Sequence, residues 1–187
     1  MSSESEPLTD ALKKELLDWI RAYLAASLDR TVLPKPPDLD GRRGGVFVTL
    51  KRSGRLRGCI GKFAFDDLLE NSIAEMVKAA AFQDPRFPPL TKPELEGLDV
   101  TVSVLTPPEP LGSLDDLVIG RDGLFLLHPR GRGVLLPAVA AEQGFSKKEF
   151  ARQTSMKAGL RPEAYQDPEA RLLVFTAPSF STDPGEK

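Results

Sequence analysis

Seventeen prolines interrupt the chain, and most gather at Pro34–Pro37, Pro85–Pro93 and Pro107–Pro110. Proline has no backbone N–H and fixes its own φ, so neither a helix nor a central strand runs through such a cluster. The 187 residues are therefore cut into pieces that each hold one or two elements. Any fold for this chain has to be assembled from short, separated segments.

Between the prolines the apolar pattern changes period. Leu12, Leu16, Ile20, Tyr23 and Leu24 recur at three- and four-residue spacing, which predicts a helix from an N-cap at Thr9 to about Leu28 with one buried face. Thr31 to Gly45 holds three prolines and three glycines and is expected to be a long surface loop. Val46 to Leu50 is rich in β-branched and aromatic residues and predicts a strand, with Lys51–Gly54 as a turn and Arg55–Ile60 as the returning strand. A second helix is expected from Asp66 or Asp67 to about Phe82, with Asp67 and Glu70 at capping-box spacing. Val100, Val102 and Val104 alternate with Thr101 and Ser103, the signature of a half-buried strand over Leu98–Leu105.

Further on, Leu124–Leu127 and Val134–Leu136 predict a second hairpin, with His128 in its turn. Pro137–Gln143 and Ser146–Ala158 predict helices, and Arg171–Phe175 predicts a last strand. Residues 1–8 are expected to be a disordered N-terminus, 9–176 the folded domain and 177–187 a polar tail. Strands and helices do not alternate strictly, so the expected class is α+β, with a mainly antiparallel sheet and flanking helices.

The inventory of reactive side chains is small. The chain has one cysteine, Cys59, and one histidine, His128. An intramolecular disulfide is excluded, a Cys/His zinc site lacks ligands, and a Ser-His-Asp site would rest on His128 alone. No metal or cofactor is expected. Lys and Arg total 25 against 27 Asp and Glu, a net charge of −2, which argues against a global attraction to nucleic acid or membrane. No apolar run approaches the roughly 18 residues of a membrane span. The first ten residues lack a signal peptide's basic and apolar parts, so the expected location is the cytoplasm.

Chemistry concentrates at Gly54-Arg55-Leu56-Arg57-Gly58-Cys59-Ile60-Gly61. In an unbroken strand Arg55, Arg57 and Cys59 share one face, and Leu56 and Ile60 the other. Two guanidinium groups beside a thiol favour its thiolate, while Gly58 and Gly61 leave room for a ligand or another backbone. The alternative reading makes Cys59 a small buried hydrophobe and the glycines packing residues. From Gly41 to Lys62 there are seven basic residues (Arg42, Arg43, Lys51, Arg52, Arg55, Arg57, Lys62) and no acid, whereas residues 1–40 hold eight acids against five bases. Such a hairpin is either a phosphate- or acid-binding surface or a solvated face paired with acids elsewhere, Glu75 among the candidates. Asp84-Pro85-Arg86-Phe87 ends the second helix with an acid and a base, which either lock the turn as an ion pair or contribute to a cleft.

Leu56-Arg57-Gly58-Cys59-Ile60-Gly61 resembles the six-residue signature of the AMMECR-one domain family. Collinear segments extend the resemblance over about residues 10–176: Gly45–Leu50, Asp84–Leu90, Val102–Pro108, Ile119–Leu124, Leu135–Pro137 and Lys157–Leu160. The resemblance implies an α+β fold with a larger and a smaller subdomain. It also implies association with a Memo-like protein and a radical SAM protein in a modification pathway, but assigns no reaction to the domain itself. Ser155 stands where many members carry a cysteine, Ala138 where glutamine is common and Phe145 where tryptophan is common. Any thiol chemistry in this chain is therefore monothiol.

Three functions follow as expectations. The favoured one is an accessory or binding module, whose site is drawn from Arg55, Leu56, Arg57, Gly58, Cys59, Ile60, Gly61, Asp84, Arg86 and Phe87. The alternative is a monothiol enzyme with Cys59 as nucleophile. Third is nucleic-acid binding by the basic hairpin 42–62.

Overall fold

Helix α1 (Asp10–Asp29) starts where Thr9 Oγ1 accepts the Leu12 N–H at 3.3 Å, and it stops at Arg30 in the left-handed conformation. Its apolar stripe buries Leu16, Trp19, Ile20, Tyr23 and Leu24. The computed structural model describes residues 7–182. Within them the chain forms two compact units, 7–104 with 178–182, and Leu105–Ala177.

The first unit carries a four-stranded antiparallel sheet in the order β2-β1-β3-β8, built from β1 (Val46–Arg52), β2 (Arg55–Lys62), β3 (Leu98–Val104) and β8 (Ser179–Ser181). Val46, Val48 and Leu50 of β1 and Leu98, Val100 and Val102 of β3 are buried against α1 and α2 (Leu69–Phe82). The period-2 pattern of the strands and the helical stripes thus meet in one core. Burial of each such side chain contributes about 1.5–3 kcal/mol.

The second unit pairs β4 (Glu109–Pro110), β7 (Arg171–Thr176), β5 (Asp122–His128) and β6 (Gly131–Leu135), in that order, in another antiparallel sheet. Helices α3 (Pro137–Gln143) and α4 (Lys147–Lys157) accompany it. Leu124, Leu126, Ala140, Phe150, Ala151 and Tyr165 belong to its core. The fold is α+β with two four-stranded antiparallel sheets.

Several local expectations change. Strand β1 extends through Arg52, so the turn shrinks to Ser53 and Gly54, whose φ values of 51° and 72° give the left-handed pair of a tight two-residue hairpin. The β5–β6 turn likewise shrinks to Pro129 and Arg130, with His128 opposite Gly131 inside the ladder. Asp67 does not cap α2. The helix begins after Leu68, the Arg42 carbonyl receives the Leu69 N–H at 2.8 Å, and Asp67 pairs with Lys62 at 2.8 Å. A backbone carbonyl from the preceding loop has taken the place of the side-chain cap.

That loop is tethered from within: Leu39 is fully buried, and Trp19 Nε1 donates to the Pro34 carbonyl at 3.1 Å. Pro110 lies in strand β4, at the edge of its sheet, where a missing N–H is tolerated. Leu8, expected in a disordered terminus, joins the core; residues 1–6 of that segment lie outside the described residues. Residues 179–181, expected in a polar tail, form β8 instead.

The backbone of α2 lies against β2 at Gly58, where a methyl group would overlap the Ala80 carbonyl oxygen. Backbone cannot swing aside as a side chain can. Gly58→Ala is therefore expected to destabilise the protein by about 1–3 kcal/mol or more in urea unfolding, through overpacking. Gly54→Ala meets no neighbour within 4 Å and carries only its φ of 72°. It should cost about 1–2 kcal/mol, and Gly54→Asn less than that.

Candidate functional site

The register of β2 decides which side chains meet. Thr49 pairs with Cys59 and Phe47 with Gly61 on the face opposite the helices. Val48 pairs with Ile60 and Leu50 with Gly58 on the helix-covered face. The register then slips by one residue: Lys51 pairs with Leu56 and Arg52 with Arg55. Arg57 is the extra residue of a β-bulge, and beyond a bulge every side chain changes face.

The shared face expected for Arg55, Arg57 and Cys59 therefore does not exist. Nor do Leu56 and Ile60 share one: Ile60 packs on the core, whereas Leu56 turns to the other face and is 42% exposed. The glycines leave no vacant room beside the thiol either. Gly58 admits the α2 backbone, and Gly61 admits the ring of Phe47.

Arg57 is directed into a bidentate pair with Glu94, Nε to Oε1 at 2.6 Å and Nη2 to Oε2 at 3.1 Å. Glu94 also caps its own 3-10 turn, Lys92–Leu95, by accepting from the Thr91 N–H at 2.8 Å and hydroxyl at 2.7 Å. The Arg57 guanidinium and the Thr91 donors hold the Glu94 carboxyl down at about 2. Arg57 Nη1 remains buried without a hydrogen-bond partner. Glu94 was not among the expected site residues, although Thr91-Lys92-Pro93-Glu94 has capping-box spacing in the sequence.

Cys59 is half-buried, with its Sγ 3.2 Å from the Thr49 hydroxyl. Its backbone is gripped on both sides. The N–H donates to Asp84 Oδ2 at 2.9 Å, and the carbonyl accepts from Arg86 Nη2 at 3.0 Å. Asp84, only 4% exposed, further accepts from the Arg86 N–H at 3.1 Å, Nε at 3.0 Å and Nη2 at 2.7 Å. Arg86 and these N–H donors hold the Asp84 carboxyl far below its ordinary range, and Asp84 in turn raises the arginine. The Arg86 guanidinium also lies 5.5 Å from the centre of the Phe87 ring. Asp84 and Arg86 thus form the expected ion pair and, in addition, a clamp on the Cys59 backbone.

Most of the basic run is occupied. Lys62 bridges Asp67 and Glu75, each at 2.8 Å, so Glu75 serves the lysine and not an arginine face. Arg43 donates to the Asp66 carbonyl, and Arg42 and Lys51 also have partners. Arg52 and Arg55, at the hairpin tip, have no ion-pair partner among the described residues. With Ser53, Leu56, Arg57 and Glu94 they line a shallow cavity of about 440 Å³. Phe63 and Phe65 pack edge-to-face on each other at 5.0 Å. Among the described residues no group of three or more His, Cys, Asp or Glu is placed to hold a metal, and no helix is long and apolar enough to cross a membrane.

His128 lies in the second unit and is no loose turn residue. Its side chain is 1% exposed, Nδ1 accepts the Arg130 N–H at 3.1 Å, and Nε2 faces Asp167 Oδ2 at 3.4 Å. Ser155 is fully buried too, donating to the Ala151 carbonyl at 3.0 Å and accepting from the Tyr165 N–H at 3.2 Å.

The Glu94 shift fixes a pH dependence. A carboxyl whose folded value is lowered from 4.5 to about 2 contributes stability above 4.5, and that contribution disappears as pH falls toward 2. Unfolding midpoints are expected to drop across that window. Glu94→Gln should lower stability by about 1–3 kcal/mol at neutral pH and flatten the acid limb.

The family model described as AMMECR1 matches residues 15–180. A protein of Methanothermobacter thermautotrophicus is 44% identical over 170 residues, covering 88% of each chain. One from Thermococcus gammatolerans is 42% identical over 159 residues, covering 79% of this chain and 77% of its own. The crystal structure of an uncharacterised protein from Pyrococcus horikoshii superposes with a TM-score of 0.82 at 34% identity, over 93% of both chains. The chain belongs to the AMMECR1 family.

Proposed function

We propose that this protein is an accessory binding module of a modification pathway, working in the cytoplasm with a Memo-like protein and a radical SAM protein. Its contact surface is β2 from Arg55 to Gly61 together with the Asp84–Phe87 turn. The carrying observation is the Asp84 carboxylate, which accepts four hydrogen bonds, one of them from the Cys59 N–H, while its partner Arg86 donates to the Cys59 carbonyl. A carboxylate so held stays ionised and is a poor proton acceptor, so it serves rigidity and not general-base chemistry. The sulfur has a hydroxyl, that of Thr49, within hydrogen-bond distance. A rigid strand with a fixed turn beside it suits recognition, because little conformational freedom is lost on binding.

The test is capture of purified Memo-like and radical SAM proteins from the same organism by the full chain. Wild type should retain at least one of them, and Cys59→Ser, which keeps both backbone hydrogen bonds, should retain it equally. Asp84→Ala frees the clamp and should weaken capture. If Cys59→Ser instead abolishes pathway output in a protein of unchanged stability, the monothiol enzyme is the better reading.

A further inference from the structure

The tip of the β1–β2 hairpin sets two arginines against each other. The two-residue turn makes Arg52 and Arg55 direct cross-strand partners. Like charges in that position repel, and a longer turn would have let them separate. Neither has an ion-pair partner among the described residues, and the cavity they share also receives Arg57 and Glu94.

Arg57 adds a third observation. Its Nε and Nη2 are used by Glu94, while Nη1 is buried and unpartnered. A buried guanidinium N–H without an acceptor is costly unless a ligand supplies one. The lining therefore presents three cations and one ionised carboxylate, an excess of two positive charges around one small space.

We propose that this cavity is a carboxylate pocket for an acidic peptide segment of a protein partner. The acidic side chain would lie between Arg52 and Arg55, with an apolar neighbour against the exposed Leu56. This rests on the reading of the protein as a binding module and specifies what the module grips. Guanidinium groups match a carboxylate through paired N–H donors, as Arg57 already does with Glu94. Leu56, in the same lining and 42% exposed, offers an apolar contact that a peptide uses and free phosphate cannot. Nucleic acid is disfavoured because five of the seven basic residues from Arg42 to Lys62 have partners, which leaves no continuous track for a phosphate backbone.

An NMR titration of the full chain tests the pocket with four probes: a blocked peptide with one glutamate between two leucines, its glutamine counterpart, inorganic phosphate, and a single-stranded oligonucleotide. The glutamate peptide should bind saturably, shift the amide signals of Arg52 to Arg57, and weaken about tenfold or more in Arg52→Gln and in Arg55→Gln. Both changes lie on the exposed hairpin tip, and unchanged signals elsewhere verify the fold. Equal binding of the glutamine peptide, tighter binding of phosphate or oligonucleotide at the same tip, or no peptide binding at all overturns the pocket. Retained capture of the pathway proteins alongside an absent peptide signal overturns the pocket alone. A peptide signal without capture overturns the assignment of partners and leaves the pocket standing.

Discussion

A buried carboxylate holds the first unit's distinctive geometry in place. Asp84 follows α2 by two residues, and through the Cys59 N–H it ties the end of that helix to β2. Burying an ionised carboxylate costs several kcal/mol, and only close opposite charge with further hydrogen bonds offsets that cost. Arg86 supplies the charge and, through its reach to the Cys59 carbonyl, a second attachment to the same strand. The helix can settle so low because position 58 is glycine. Glycine contact and carboxylate clamp are therefore two halves of one joint, one steric and one electrostatic.

That joint accounts for much of the residue choice in the Leu56–Gly61 segment without any reaction. Gly58 is needed for the α2 backbone and Gly61 for the Phe47 ring. Ile60 packs on the core, and Arg57 bulges out to neutralise Glu94. What remains outward is Arg55 and Leu56 at the tip and the sulfur of Cys59 beside a hydroxyl. Separating inward-committed from outward-facing side chains is what moves attention from the thiol to the hairpin end.

The elements were legible where periodicity is local. The spacing from Leu12 to Leu24 and the alternation from Val100 to Val104 each satisfy one buried face, and α1 and β3 follow them closely. Features set by distant segments were not legible. The bulge at Arg57 depends on the register with Lys51, and its side chain on a glutamate 37 residues away. The Asp67 cap gave way to a carbonyl from Arg42, and the segment read as a tail found an open edge on β3 about 80 residues earlier in sequence. Alternation predicts a face only while the strand is uninterrupted, and no residue type in this stretch announces the interruption.

The scarcity of nucleophiles and bases takes on a physical meaning once each is located. Nδ1 of His128 accepts the Arg130 N–H, and Nε2, buried without a hydrogen-bond partner, lies 3.4 Å from Asp167 Oδ2. Asp167 pairs with Arg161 and Arg130, so the histidine lies beside an ion-pair group near its own turn. Asp84 is saturated by donors, and Glu94 is held ionised by Arg57 and Thr91. These two carboxylates are held ionised by their neighbours, which stabilises structure at the expense of proton transfer near neutral pH. Fixed charge with little proton mobility equips a surface to recognise an ion, and the unmatched pair Arg52 and Arg55 is where such recognition has most to gain.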